Sequence, residues 1–473
     1  MFSHSELRVL NVIRINPQSS TTPPHPPNLK LSFLDVLWLF VPPVQRILFF
    51  RSDASISSVV RSLQSSLSLT LTNFYPLLGK LTHSSETAEL YIDCTGSDGV
   101  EFSEAESDWD LERLTVDPVH HWDEFRALVP RLDIGRLPAP VLSVQVTGFE
   151  GGFAVGISAH HMLVDGRALW LFVKAWAESC RTNNGPAASV SAGLCFDRTV
   201  VRYPRSEEFC RRCIETFAPT LPTVSKTIHY NPKEIIRRTF IISDNNIQSL
   251  KRRTNSPTKK HHQPGYDHDE IVHLVFLSDC RSRLDPPVDP GYFGNCVGFC
   301  FAKARVGDLL GKEGFTFACA VISRAVEEAV EEPMGWCEGF FEEFAKLKPS
   351  RLVHVAGSPR FGVYETDFGW GRPRRAELVS MNDGAVVLSD AGGGEGGVQL
   401  SLVLSPLEMD VFTISFLEGF ERGPVKAYGH DGVLLSTAPP IRDATTPQRL
   451  VERQPQMSYQ AETKGSVSMG SPG

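Results

Sequence analysis

The sequence lacks the features that mark membrane, secreted and disulfide-stabilised proteins. Its most apolar stretch, residues 31–50, contains Asp35, Arg46 and two adjacent prolines, so it is too polar to cross the ~30 Å of a bilayer core. The first twenty residues hold no apolar signal-peptide region. The ten cysteines have no regular spacing, which favours free thiols in a reducing compartment. We therefore expect a cytoplasmic protein with no membrane partner.

The sequence also lacks the signals for nucleic-acid, metal and nucleotide binding. The 47 basic residues are scattered and the net charge is −8, so we expect no nucleic-acid partner. Cys210 and Cys213 have no second ligand pair at a suitable spacing, so we expect no metal. Neither a Walker sequence nor a GxGxxG motif after a predicted strand occurs. These absences predict a protein without a bound cofactor.

The length of the chain predicts two domains. A chain of 473 residues is too long for one ordinary hydrophobic core, and 41% hydrophobic with 22% charged residues is typical of globular proteins. We place an N-terminal domain at residues 1–200, a crossover loop and linker at 201–269 and a C-terminal domain at 270–422. Residues 423–473, rich in Gly, Pro, Thr, Gln and Ser, are predicted to be a disordered tail.

Hydrophobic periodicity predicts mixed α/β structure in both halves. Apolar residues at helical spacing predict helices at 54–71, 167–180 and 315–330. Alternating or short apolar runs predict strands at 7–15, 271–277, 385–388 and 398–404, and a hairpin at 141–157. His160 and His161 therefore lie between a strand and a helix, where side chains are exposed at the end of a rigid sheet.

His161, in the sequence HHMLVDG, is the first candidate for chemistry. A histidine with a pKa near 6.5 can take a proton from a hydroxyl and return it to a leaving thiolate, and Asp165 could fix its tautomer. With 14 histidines and 55 acidic residues, however, chance supplies one or two such pairs, and a buried histidine with a capping aspartate explains the bare pattern better. His160 is a rival, because neighbours on an extended chain face opposite ways.

Two later segments carry further candidates. In DFGWG (367–371), the glycines allow a bend that presents the indole and Asp367 can bind the loop amides, although a surface turn is the simpler interpretation. In DCRSRLDPP (279–287), an arginine could pair with a buried carboxylate such as Asp165, or remain a solvated loop charge.

Taken together and in order, these segments resemble the plant BAHD acyltransferases. The matching motifs are SFLD (32–35), YPLLG (75–79), HHMLVDG (160–166), FDR (196–198), DCRSRLDPP (279–287), YFGNC (292–296) and DFGWGRP (367–373). The combination, which runs from about residue 7 to residue 420, is more specific than any part. It is most similar to the branch that acylates anthocyanin and phenolic glucosides, often with malonyl groups.

The resemblance implies an α/β fold of two similar chloramphenicol-acetyltransferase-like domains, each a mixed sheet with flanking helices, joined by a crossover loop. An active-site channel would lie between the domains, and CoA and the acceptor would enter it from opposite sides. The resemblance also implies a monomer whose co-substrate is an acyl-CoA, here malonyl-CoA, and whose acceptor is a glycosylated phenolic.

The resemblance assigns catalytic roles to three residues. His161 is the general base, which decides against His160. Trp370 is expected near the tetrahedral oxyanion, where one preorganised N–H donor contributes about 3 kcal/mol. Asp367 is included with the catalytic residues, although its loop is expected to be remote from the reacting atoms.

Other residues are implied to support the site or to bind the acyl-CoA. Asp165 and Gly166 are structural, and Asp165 is expected to point away from the channel and pair with Arg281 or Arg283. Arg198 and Thr366 are candidates for binding the acyl group or CoA, and Arg198 is chosen because a malonyl carboxylate needs a cation.

The chain departs from the family in two places. Before DCRSRLDPP the family has an apolar helix, whereas residues 251–269 are polar and rich in His and Lys, and the segment after Phe420 has no family counterpart. We expect an O-acyltransferase that moves malonyl from CoA to a sugar hydroxyl of a phenolic or flavonoid glucoside. The alternatives are a hydroxycinnamoyl-CoA transferase of the same family and a non-catalytic member that lacks a helix near the CoA channel.

Overall fold

The computed structural model describes residues 7–18, 25–87, 89–96, 98–120, 122–182, 193–224, 235–253, 267–381, 384–392 and 396–419. Strands β1–β17 lie, in chain order, at Leu7–Ile15, Asn28–Lys30, Val44–Arg51, Lys80–His83, Leu90–Asp93, Val100–Ser107, Val119–His120, Ala139–Pro140, Leu142–Phe149, Gly152–Ala159, Ile236–Ile242, Ile271–Asp279, Val297–Arg305, Leu352–Ser358, Arg375–Leu378, Ala385–Asp390 and Val398–Leu404. Helices α1–α11 lie at Phe33–Val36, Ile56–Asn73, Leu111–Val116, Trp122–Ala127, Gly166–Arg181, Ser206–Phe217, Asp244–Arg253, Val306–Leu309, Gly314–Glu331, Phe340–Lys346 and Pro406–Glu418. None of these helices is both long and apolar enough to span a bilayer.

The strands form two large mixed sheets and one small sheet. The order is β1-β6-β9-β10-β3-β15 in the six-stranded sheet and β13-β12-β14-β16-β17-β11-β7 in the seven-stranded sheet. A four-stranded antiparallel sheet has the order β2-β5-β4-β8. The expected α/β class with two sheet-rich halves is therefore confirmed.

Each large sheet contains a strand from the other half of the chain. β15 lies at the edge of the six-stranded sheet and pairs antiparallel with β3, whereas β7 pairs with β11 at the edge of the seven-stranded sheet. The predicted domain bounds and the channel between the domains stay predictions. Most of the predicted linker break at 251–269 and the whole tail at 423–473 lie outside the described residues.

The hairpin β9–β10 leads directly to the candidate histidines. The two strands pair in register from Gly152 opposite Phe149 to Ala159 opposite Leu142, across a turn in which Gly151 has a φ of +78°. Every residue of β10 after Gly152 is buried, because β3 and β9 flank it and apolar layers cover both faces. This strand is thus a rigid support for the residues that follow it.

Helix α5 covers the sheet and packs against α2. The Asp165 side chain caps its N-terminus, and the first residue must be small because a Cβ on Gly166 would lie 2.7 Å from the Phe361 ring. Buried Trp176 donates its indole N–H to the Leu63 carbonyl and the Ser66 hydroxyl of α2, each at 3.1 Å. The start of α5, and hence the loop that carries His161, is therefore fixed in position.

The predicted elements are confirmed in type, and their ends agree with the observed ones to within two residues. They correspond to β1, α2, the β9–β10 hairpin, α5, β12, α9, β16 and β17. Periodicity identified these elements because each of them places one face, or both, against a core.

A buried ion-pair network joins the two large sheets. Glu377 of β15 is fully buried and pairs with Arg237 of β11 at 2.8 Å and with Arg375 at 3.0 Å. It also accepts hydrogen bonds from the hydroxyls of Thr239 and Ser401 at 3.1 Å each. These neighbours hold the pKa of Glu377 below its usual value despite burial, so the carboxylate is charged.

We predict that Glu377→Leu lowers the free energy of unfolding by about 3–5 kcal/mol, because two buried guanidinium groups lose their shared partner. The matched control is Glu365→Leu, since Glu365 is 67% exposed and forms a surface ion pair with Lys174; it should cost no more than ~1 kcal/mol. Urea denaturation of both variants measures the difference. Equal losses would contradict the role of Glu377 in joining the sheets.

Candidate active site

His161 lies two residues beyond the end of β10 and is held by its backbone and by its ring. Its carbonyl oxygen accepts a hydrogen bond from the Asn295 side-chain amide at 2.9 Å. Its imidazole stacks on the Trp38 indole, with ring centroids 4.0 Å apart and an angle of 7° between the planes. Trp38 in turn stacks on Phe299 of β13. His161 is therefore held by Trp38 from the N-terminal half of the chain and by Asn295 from the C-terminal half.

The side chain of His160 is instead buried in the interior of the protein. It is 1% exposed, and its Nδ1 accepts the backbone N–H of Met162 at 3.3 Å. Burial lowers the pKa of His160 to about 3, so it is neutral. The structure thus gives His160 a local structural role and leaves His161 as the histidine of this pair that is suited to acid–base chemistry.

The electrostatic surroundings of His161 favour the unprotonated form. Burial, the largest cause, lowers its pKa to about 4; Asp165 and Asn295 oppose the shift and the Arg46 charge adds to it. Its Nδ1 is buried and has no hydrogen-bond partner among the described residues. At neutral pH the ring can therefore accept a proton.

Asp165 is engaged elsewhere and does not orient the imidazole. One carboxylate oxygen accepts the Ala168 N–H at 2.8 Å as the cap of α5, and the other accepts the Cys296 N–H at 3.1 Å. The second oxygen also pairs with Arg281 at 2.9 Å. Of the two alternatives expected for this pairing the structure has Arg281, whereas the Arg283 guanidinium donates to the Ser278 hydroxyl.

Asp35 forms a second buried anchor that the motif analysis did not single out as functional. The carboxylate has no exposed surface and pairs with Arg198 Nε at 2.9 Å. It accepts the backbone N–H of Asn295 at 3.0 Å and the Asn295 side-chain amide at 2.9 Å. Since that amide also binds the His161 carbonyl, Asp35 fixes the residue that holds the histidine. The SFLD and YFGNC segments were the only sequence signal for this contact.

The structure does not support Arg198 as the ligand of a malonyl carboxylate. Besides pairing with Asp35, its guanidinium donates to the carbonyls of Phe293 and Leu163 and lies over the Tyr292 ring, 5.2 Å from the centroid. An added Cβ on Gly294 would lie 2.5 Å from the guanidinium, so that glycine is needed for the fit. The FDR segment predicted that Arg198 binds the acyl group, whereas in the structure Arg198 has a structural role.

The DFGWG segment lies at the opposite end of β10 from His161. Asp367 accepts the N–H groups of Gly369 and Gly371 at 2.7 and 2.9 Å, and Trp370 packs edge-on against Phe153 at 5.2 Å. Between Phe153 and Ala159 the strand covers about 20 Å at ~3.3 Å per residue.

The expectation that Trp370 donates to the oxyanion near His161 is therefore wrong, and so is a catalytic role for Asp367, which stabilises its own loop. Thr366 is buried, and its hydroxyl has no partner among the described residues. Its assignment to acyl or CoA binding stays a prediction.

No group of three His, Cys, Asp or Glu side chains within the described ranges could hold a metal ion. Cys210 and Cys213 are both free thiols, and burial raises the pKa of Cys210 to about 12. Burial raises the pKa of Cys213 as well, so both thiols are uncharged and poorly suited to nucleophilic attack.

Comparisons with known proteins agree with this architecture. The sequence pattern of the Transferase family matches residues 9–418. Phenolic glucoside malonyltransferase 1 of Arabidopsis thaliana is 32% identical over 466 residues, covering 88% of this chain and 98% of the relative. Agmatine coumaroyltransferase of the same plant is 31% identical, with 87% and 98% covered. The crystal structure of vinorine synthase superposes with a TM-score of 0.69 at 23% identity, over 88% of this chain and 99% of that one.

The fold and the comparisons define an acyl-transferring enzyme with two chloramphenicol-acetyltransferase-like halves. The chain belongs to the Transferase family, that of the BAHD acyltransferases.

We predict that Arg198→Met lowers the free energy of unfolding by about 3–5 kcal/mol, because the Asp35 carboxylate remains buried without its cation. The control Arg8→Met removes a guanidinium that pairs with Glu106 at 72% exposure, and it should cost no more than ~1 kcal/mol. Denaturant unfolding measures both. If Arg198→Met were as stable as wild type and had altered acyl selectivity, the result would instead support a role of Arg198 in binding the acyl group.

Proposed function

We propose that the protein transfers a malonyl group from malonyl-CoA to a sugar hydroxyl of a phenolic or flavonoid glucoside. The observation that carries the proposal is the neutral, half-buried His161, held just beyond the end of β10 by Asn295 and Trp38. The malonyltransferase among the relatives supports the choice of acyl group and acceptor. We also propose that the enzyme acts as a monomer in the cytoplasm.

In the proposed reaction, His161 removes the proton from the acceptor hydroxyl as its oxygen attacks the thioester carbonyl. A sugar hydroxyl is far too weak an acid to ionise at neutral pH, so a base within hydrogen-bond reach is required. The tetrahedral intermediate then collapses, its C–S bond breaks, and the imidazolium returns the proton to the CoA thiolate. The neutral starting form of His161 suits the first step, and the low pKa makes the imidazolium a strong acid for the second.

A hydroxycinnamoyl transferase is the second candidate. The observation in its favour is the agmatine coumaroyltransferase, which is almost as similar to this chain as the malonyltransferase is. The acyl donor therefore has to be determined by assay.

The first test measures CoA release by the purified protein from malonyl-CoA, acetyl-CoA and p-coumaroyl-CoA, with a panel of phenolic glucosides and with agmatine. We expect acceptor-dependent release from malonyl-CoA with glucosides, and a loss of about 100- to 10,000-fold in kcat for His161→Ala. The control His268→Ala changes a solvent-exposed histidine and should leave kcat unchanged. A folded protein that releases no CoA from any donor would favour a non-catalytic member of the family.

The pH dependence of kcat/KM provides a separate prediction. Because burial lowers the pKa of His161 to about 4, the base remains unprotonated as the pH falls from 7 to 5, and the acid limb of the profile lies near pH 4. A histidine of ordinary pKa would already lose activity near pH 6.5. Initial rates after a brief jump to each pH avoid acid unfolding. An acid limb near pH 6.5 would contradict this assignment of the base.

A further inference from the structure

Arg46 is a buried cation at the end of β3 nearest to the candidate base. Its Cα lies opposite Ile157 of β10, four residues before His161, which corresponds to at most about 14 Å of chain. The residue is 5% exposed, and burial is the main cause that lowers its pKa to about 10. At neutral pH the guanidinium is nevertheless charged.

The Arg46 side chain has no hydrogen bond and no ion pair to any residue that the structure describes. Its Nε is buried without a hydrogen-bond partner among the described residues, and the guanidinium lies 5.8 Å from the centre of the Trp170 ring on α5. Buried Arg198 and Arg281, in contrast, each pair with a carboxylate at 2.9 Å. A buried charge without a counter-ion is costly.

The carboxylates whose fields reach Arg46 are already engaged. Glu377 is shared by Arg237 and Arg375, and Asp390 accepts the backbone N–H groups that follow Gly362 at 2.9 and 3.1 Å. Neither carboxylate forms an ion pair with Arg46, so its charge is uncompensated among the residues that the structure describes. The surroundings of Arg46 are suited to an additional anion.

We propose that the Arg46 guanidinium binds the terminal carboxylate of a dicarboxylic acyl group while the thioester of the same group lies at His161. This inference rests on the proposed function and deepens it by naming the residue that selects a malonyl-type donor. One methylene separates the carboxylate from the thioester carbon in such a donor, so its cation has to lie close to the base. Arg46 meets this requirement, because its Cα lies opposite a residue of β10 only four positions before His161, at the same end of the two strands.

The Trp170 ring supports this assignment. An aromatic face beside a guanidinium restricts its orientation while leaving its N–H groups free for a planar anion. Arginine can hold a carboxylate with two parallel hydrogen bonds, which a neutral acyl group such as acetyl or p-coumaroyl does not offer. Arg46 would therefore discriminate between donors by charge.

The test compares wild type with Arg46→Leu and Arg46→Lys in two measurements. Calorimetric titration with malonyl-CoA and acetyl-CoA, without acceptor, measures binding. We expect Arg46→Leu to weaken malonyl-CoA binding about 10- to 100-fold, and much more than acetyl-CoA binding, with partial recovery in Arg46→Lys. Denaturant unfolding should show that Arg46→Leu is as stable as wild type or more stable, because an uncompensated charge is removed. Arg14→Leu, which removes a surface arginine, is the matched control.

Three outcomes would overturn the inference. Equal weakening of both thioesters would place a CoA phosphate at Arg46, and unchanged binding of both would leave the residue without a ligand. A marked loss of stability in Arg46→Leu would indicate a structural role. Because binding and unfolding are read without turnover, a protein that transfers no acyl group would refute the proposed function and still leave the Arg46 inference open to test.

Discussion

Two buried carboxylates hold the candidate active site together. Asp35 and Asp165 come from separate segments of the N-terminal half, yet they accept the successive backbone N–H groups of Asn295 and Cys296 from the C-terminal half. Each also neutralises a buried arginine. The side-chain amide of Asn295 holds the His161 backbone. The position of the base therefore depends on the Asp35–Arg198 and Asp165–Arg281 ion pairs, which do not contact the imidazole themselves.

Periodicity and motif order predicted much of this molecule. The helices and strands that bury an apolar face were found because burial imposes a repeat on the sequence, and the HHMLVDG segment identified the histidine. The stacking of Trp38 on His161 had no signal, because the two residues are far apart in the sequence and meet only through the fold. The sequence also did not predict that β7 and β15 each join the sheet of the other half of the chain. Strands of two and four residues are too short to show a hydrophobic period.

The residues that were misassigned share one cause. Trp370 and Arg198 stand in recognisable motifs, and a motif records that a residue type is needed without recording what it contacts. Trp370 packs on the far end of the sheet and Arg198 neutralises a buried aspartate. Arg46 lies in no segment singled out for chemistry, and it was identified because its buried charge has no hydrogen-bonded or ionic partner in the described part of the chain. Such a deficit is visible only once the neighbours of every buried charge are known.

The exchange of edge strands has a consequence for engineering the enzyme. Because β15 covers the edge of β3, a chain cut between the two halves would expose an unpaired strand of mostly apolar residues, which invites aggregation. The halves are thus interlocked and are not independent modules. A functional chimera with a relative would have to exchange β7 and β15 together with the sheets that they complete.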